Sequence, residues 1–148
     1  MKRLIVLATF IVAARSFLNA QSSPTQLPGI ARSISKAYVN GLSGLDAKRL
    51  RRGGVKVVFE NTGGDIGTPE FEVKRFPTFN AMERWLKSQL HEDGTPFRAT
   101  GRFTGCRKQQ CVFASDHGIL HNHLYLKKIL FGSYNGKPYV KEIHILVG

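Results

Sequence analysis

The sequence predicts the α+β class: a curved antiparallel sheet packed on about three N-terminal and central helices. Three observations carry this. The last third, Phe97 to Val147, reads as consecutive strands joined by tight turns. Within it Asn135-Gly136 is a pair that accepts the positive φ angles of a type I′ hairpin turn. Upstream, stretches beginning near Ile30, Ser43 and Asn80 show apolar residues or capping signals at helical spacing.

Met1-Lys2-Arg3 followed by the apolar run Leu4 to Ala14 has the form of a signal peptide, with Leu18-Asn19-Ala20 as its cleavage site. Residues 1–20 are therefore expected to be removed, 21–29 to be a linker, and 30–148 to form one domain. Export places the product outside the cytoplasm, secreted or periplasmic. Of the 148 residues about 128 then remain, the usual size of one core.

Ile30, Ile34, Ala37, Tyr38 and Leu42 recur every three or four residues and predict a first amphipathic helix. Ser43-Gly44-Leu45-Asp46 opens a second, short one that Gly53-Gly54 stops; its Lys48, Arg49, Arg51 and Arg52 complement the negative end of the helix dipole. That pairing explains the cluster without an anion site. Val55 to Glu60 is a β-branched strand ending at Asn61-Thr62-Gly63-Gly64, and Phe71 to Phe76 alternates apolar with charged residues as a half-buried strand does. After Pro77, Asn80 with Glu83 is a capping box, and Met82, Trp85, Leu86 and Gln89 or Leu90 give the stripe of a third helix. Trp85, the single Trp, is expected to anchor that helix in the core.

The remaining strands are Phe97 to Phe103, Cys111 to Ala114, Leu120 to Phe131 and Tyr139 to Leu146. Counting outward from a two-residue loop at Asn135-Gly136 pairs Tyr134 with Lys137, Phe131 with Val140, Ile129 with Glu142, Lys127 with His144 and Leu126 with Ile145. One face then holds Leu124, Leu126, Leu130, Ile143, Ile145 and Val147, with Lys128 and Lys141 towards the turn. The other mixes His121, His123, Tyr125, Lys127, Glu142 and His144 with Ile129 and Phe131. The first reads as core, and the second as a wet surface or a polar pocket lining.

Cys106 and Cys111 flank a polar turn and, in an exported protein, are expected to form one disulfide worth about 2 kcal/mol. Together with His117, His121 and His123 they are also soft ligands within a short span, but the spacing fits no usual zinc pattern. No metal and no cofactor is expected. The 22 Lys and Arg against 10 Asp and Glu give a net charge of +12; without Lys2, Arg3 and Arg15 the balance is 19 against 10, or +9. Such an excess favours anionic surfaces through screened attraction, yet the basic residues are dispersed and no nucleic-acid motif is present.

The order helix, short helix, strand, loop, strand, helix, then long strands resembles the nuclear transport factor 2-like (SnoaL-like) superfamily over about residues 30–147. Local echoes are Leu45 to Leu50 before Gly53-Gly54, Val57-Val58-Phe59-Glu60-Asn61, and the closing segment from Gly136 to Leu146. The resemblance implies a pocket between the sheet and the helices and often a homodimer through the opposite sheet face. It implies no reaction, because one such fold serves isomerases, dehydratases and noncatalytic modules alike.

His121-Asn122-His123 places two imidazoles on one side of a strand, with Glu142 and His144 on the same side in the counted register. His123 and His144 then stand too far apart along the ribbon to share an ion, and Lys127 repels one. Asp116-His117-Gly118 is ordinary turn chemistry. Two functions remain. The first is an exported noncatalytic binding module holding a small molecule or partner surface at the sheet cavity, with Tyr125, Trp85 and Phe131 as contacts. The second is a small-molecule isomerase or hydrolase using Glu142 with His144, His121 or His123 as acid and base. The position of Glu142 and the imidazoles relative to a cavity separates the two.

Overall fold

The structure is a computed structural model that describes residues 26–42, 45, 54–61, 69–90, 93–115 and 123–148. The leader, most of the linker, the helix expected from Ser43 to Arg52 apart from Leu45, the loop after Asn61, and Asp116, His117 and His121 lie outside the described residues. In chain order the elements are α1 (Leu27–Asn40), β1 (Val55–Asn61), β2 (Glu70–Phe76), α2 (Phe79–Ser88), β3 (Arg98–Thr100), β4 (Arg102–Arg107), β5 (Gln110–Ala114), β6 (His123–Tyr134) and β7 (Lys137–Val147).

This corrects the expected fold class. Among the described residues there are two helices against seven strands, and the sheet is mixed, in the order β2-β1-β7-β6-β5-β4 with β3 beside β6. β1 runs parallel to β7 and β3 parallel to β6; the other pairs are antiparallel. Hairpin signals are local, whereas Val57 meets Ile143 from far along the chain, a pairing that no turn residue announces. β1 does show the consequence of lying inside the sheet: Val57, Val58 and Phe59 are all buried, so both of its faces are covered.

α1 begins three residues earlier than the Ile30 spacing suggests, because Pro28 sits in the first turn, where its missing N–H costs nothing. Its buried stripe is Leu27, Ala31, Ile34 and Tyr38. Two hydrogen bonds fasten that stripe to the sheet. Ser35 Oγ donates to the Gly101 carbonyl at 2.5 Å, and the Tyr38 hydroxyl donates to the Leu124 carbonyl at 3.1 Å. Burial holds the Tyr38 phenol protonated far above its ordinary range. Gly101 has φ +153° and splits the expected strand from Phe97 to Phe103 into β3 and β4; a Cβ there would collide with Leu126. α2 is capped by Thr78, whose Oγ1 accepts from the Ala81 N–H at 3.1 Å, and not by the expected Asn80. It ends at Ser88, so Leu90 falls outside its stripe and is exposed.

β6 and β7 turn at Asn135-Gly136 as expected, with φ +48° and +72°. Tyr134 pairs with Lys137, Phe131 with Val140 and Leu126 with Ile145. Between those pairs the counted register is wrong by one. Lys128, not Lys127, faces His144; Ile129 faces Ile143; Leu130 faces Glu142. An unpaired Lys127 on β6 and an unpaired Lys141 on β7 form two bulges on opposite strands, so their offsets cancel. As a result Ile129 and Phe131, expected on the polar face, lie in the core with Leu126, Ile143 and Ile145, while Leu130 turns outward.

Cys106 and Cys111 are directly opposite on β4 and β5 and form the disulfide that closes this hairpin. Phe103 and Phe113 meet edge to face behind it, and the Arg32 guanidinium lies 4.9 Å from the Phe103 ring centre.

Candidate functional site

The phase of β2 decides what faces the helices. Phe76 is buried opposite Val55, and strict alternation then sends Glu70, Glu72 and Lys74 to the same side, opposite Asn61, Phe59 and Val57. Phe71 and Val73, which alternation alone would place in the core, point outward and are 61% and 53% exposed. α2 covers this inner side only in part. Its half-buried Trp85 packs on Phe59 and Phe76 with ring centres 4.8 and 5.7 Å away.

Beyond Trp85 the sheet and α2 leave a hollow of about 300 Å³. Phe59, Trp85, Phe97, Leu124 and Val147 form its apolar wall, and Asn61, Glu70, Glu72 and Gln89 supply polar groups. The Lys74 ammonium lies 4.9 Å from the centre of the Trp85 ring and also pairs with Glu72. A neighbouring hollow of about 340 Å³ shares Phe97 and Leu124 and is bounded by the end of α1 at Tyr38 to Leu42 and by Glu83, Leu86 and Lys87 of α2.

On the outer face lies a second polar grouping. Lys56 of β1 sits beside Glu142 in the parallel ladder, and its Nζ is 2.8 Å from Glu142 Oε2. The His144 ring Nε2 is hydrogen-bonded to the other oxygen, Oε1, and both side chains are only 14% exposed. Burial alone would raise the Glu142 carboxyl, but hydrogen bonds from Lys56 and His144 outweigh it and hold the pKa below the ordinary range. For His144 burial is the largest influence and lowers the pKa, with Lys128 and Lys56 adding to it and the bond to Glu142 opposing it. Lys127 pairs with Glu60 on the same face at 2.5 Å.

Glu142 and His144 are thus brought together, as the sequence suggested, but away from both hollows. His123 stacks with Tyr125 at 5.7 Å between ring centres, and Tyr125 is buried on the outer side. Phe131 is enclosed in the core, and of the three expected contacts Trp85 lines the first of these two hollows, whereas Tyr125 and Phe131 line neither. Among the described residues no three His, Cys, Asp or Glu side chains gather as metal ligands. Glu70 and Glu72 were not singled out from sequence. The usable signal was Phe76, whose burial after a charged pair reverses the phase of the strand.

Comparison of the chain with protein-family models, with characterised proteins and with solved structures gave no match.

Proposed function

We propose that this chain is an exported, noncatalytic binding module that holds a small molecule in the hollow beside Trp85. The observation that carries the reading is the apolar wall of Phe59, Trp85, Phe97, Leu124 and Val147 with polar groups at its edge, the usual make-up of a ligand pocket. Export is supported by the Cys106–Cys111 disulfide, which persists in oxidising compartments. Kinship with the nuclear transport factor 2-like superfamily is part of the proposal and rests on element order alone: a helix, two strands, a helix, then the remaining strands.

A catalytic reading draws on the hydrogen bond between Glu142 and His144. It is the weaker of the two, because Lys56 takes the second Glu142 oxygen and neither hollow includes the pair. A neutral solvatochromic dye tests the choice. It should bind once per chain and quench Trp85 fluorescence, and Val147→Phe, which fills the hollow, should abolish binding while the circular dichroism spectrum is kept. Dye binding unchanged in that variant would remove the pocket from consideration.

A further inference from the structure

We infer that the hollow beside Trp85 selects an organic cation, a quaternary or substituted ammonium group carried on a small apolar body. The inference rests on the pocket reading above and adds the chemistry of the ligand. Three features of the structure point to it. The wall presents the rings of Phe59, Trp85 and Phe97, and aromatic faces attract ammonium groups through the ring quadrupole. Glu70 and Glu72 are sent to the same side of the sheet by the register that places Glu72 opposite Phe59 and Glu70 opposite Asn61. Two lining residues already hold a cation of this chain, since the Lys74 ammonium lies 4.9 Å from the Trp85 ring centre and pairs with Glu72.

Lys74 therefore acts as an internal competitor. Its side chain is 30% exposed and that of Glu72 60%, so the contact is open to exchange with solvent. An arriving ammonium group takes over the Trp85 face and the Glu72 oxygens, and Lys74 swings into water. The whole chain is strongly basic at +12, so its general field repels cations and draws anions. Cation binding here can only be local.

The test uses the full exported protein and choline, with the analogue in which an uncharged tert-butyl group replaces the trimethylammonium. Trp85 is the single Trp, so its fluorescence reads this site directly. Choline should quench it saturably and displace the neutral dye, binding about fivefold more tightly than its isostere. Joint Glu70→Gln and Glu72→Gln replacement should weaken choline about tenfold and leave the isostere unchanged. Lys74→Met should strengthen choline severalfold. Equal binding of choline and isostere overturns the inference while the pocket reading stands; a dye that binds but is not displaced by choline does the same. Failure of the dye itself overturns both.

Discussion

On the outer face Glu142 has each oxygen engaged by a neighbour in the sheet, Lys56 on one and His144 on the other, with its side chain 14% exposed. On the inner face Glu72 meets Lys74 at the mouth of a hollow with its side chain 60% exposed. Both carboxylates belong to strands of one sheet and both have a lysine beside them. What separates them is solvent. A charge withdrawn from water must keep its partners, because losing one leaves the other stranded, whereas a charge at a wet rim can change partners at little cost. The outer group is therefore read as structure and the inner one as a place where a ligand can enter.

The strongest way to break this contrast is to change which side Glu142 faces. Deleting Ile143 lets the extra Lys141 be absorbed into regular alternation and moves Glu142 into the inward place opposite Ile129. Burying that charge should cost roughly 4 kcal/mol or more, enough to unfold many domains. Deleting Lys141 alone removes only the unpaired residue and leaves Leu130 opposite Glu142 and Phe131 opposite Val140. It should be far less destabilising than the Ile143 deletion in urea denaturation. Equal losses would mean that the side Glu142 faces is not what the sheet depends on.

A smaller effect comes from emptying the outer group. Glu142→Ala takes the carboxylate from His144, whose side chain is 14% exposed, and from the more exposed Lys56, and should cost about 1 to 3 kcal/mol. Replacing all three together by Lys56→Met, Glu142→Leu and His144→Val should cost less than the single change, since no charge is left unpaired. A triple variant as unstable as the single one would indicate that the group contributes more than mutual compensation.

How far the sequence reached can be judged from the same residues. Asn135-Gly136 named its own turn because two successive positive φ angles are a local demand. The disulfide was legible for a similar reason, the two Cys flanking one short turn. The bulges were not legible: Lys127 and Lys141 are ordinary strand-edge lysines in composition, and only the partner strand makes them extra. Nor could β2 be phased from within, since Phe71, Val73 and Phe76 make competing claims on the core and the outcome is set by Val55 across the ladder. Trp85 was expected as a contact, but Glu70 and Glu72 beside it were hidden with the phase of β2. Parallel pairing of β1 with β7 is likewise a long-range result, and it is what brings Lys56 to Glu142.

Acid separates the two faces more gently. His144 has its folded pKa below the ordinary value of 6.5, so the unfolded chain takes up its proton first and stability falls as the pH drops through that value. Glu142 is held below its ordinary 4.5, so its contribution is complete above that value and is lost only on further acidification. Both act in the same direction, and the loss should come in two stages. His144→Gln should remove the upper stage in thermal melts taken between pH 7 and pH 5, by an amount on the order of 1 kcal/mol or less. A variant that keeps the upper stage would assign it to another group.

The smallest effect is expected at the rim, and there the contrast is sharpest. Glu72→Gln removes a charge whose side chain is 60% exposed and whose partner Lys74 retains the Trp85 ring, so the unfolding free energy should move by less than about 0.5 kcal/mol. The same substitution should lower the affinity for an ammonium ligand, because in the bound state the carboxylate is shielded by that ligand and by the Trp85 ring. Stability and binding thus part company at Glu72, whereas at Glu142 a change in stability is expected with no change in binding. If Glu72→Gln instead costs as much folding energy as Glu142→Ala, its pair with Lys74 is a structural tie, and the rim is no more open than the outer face.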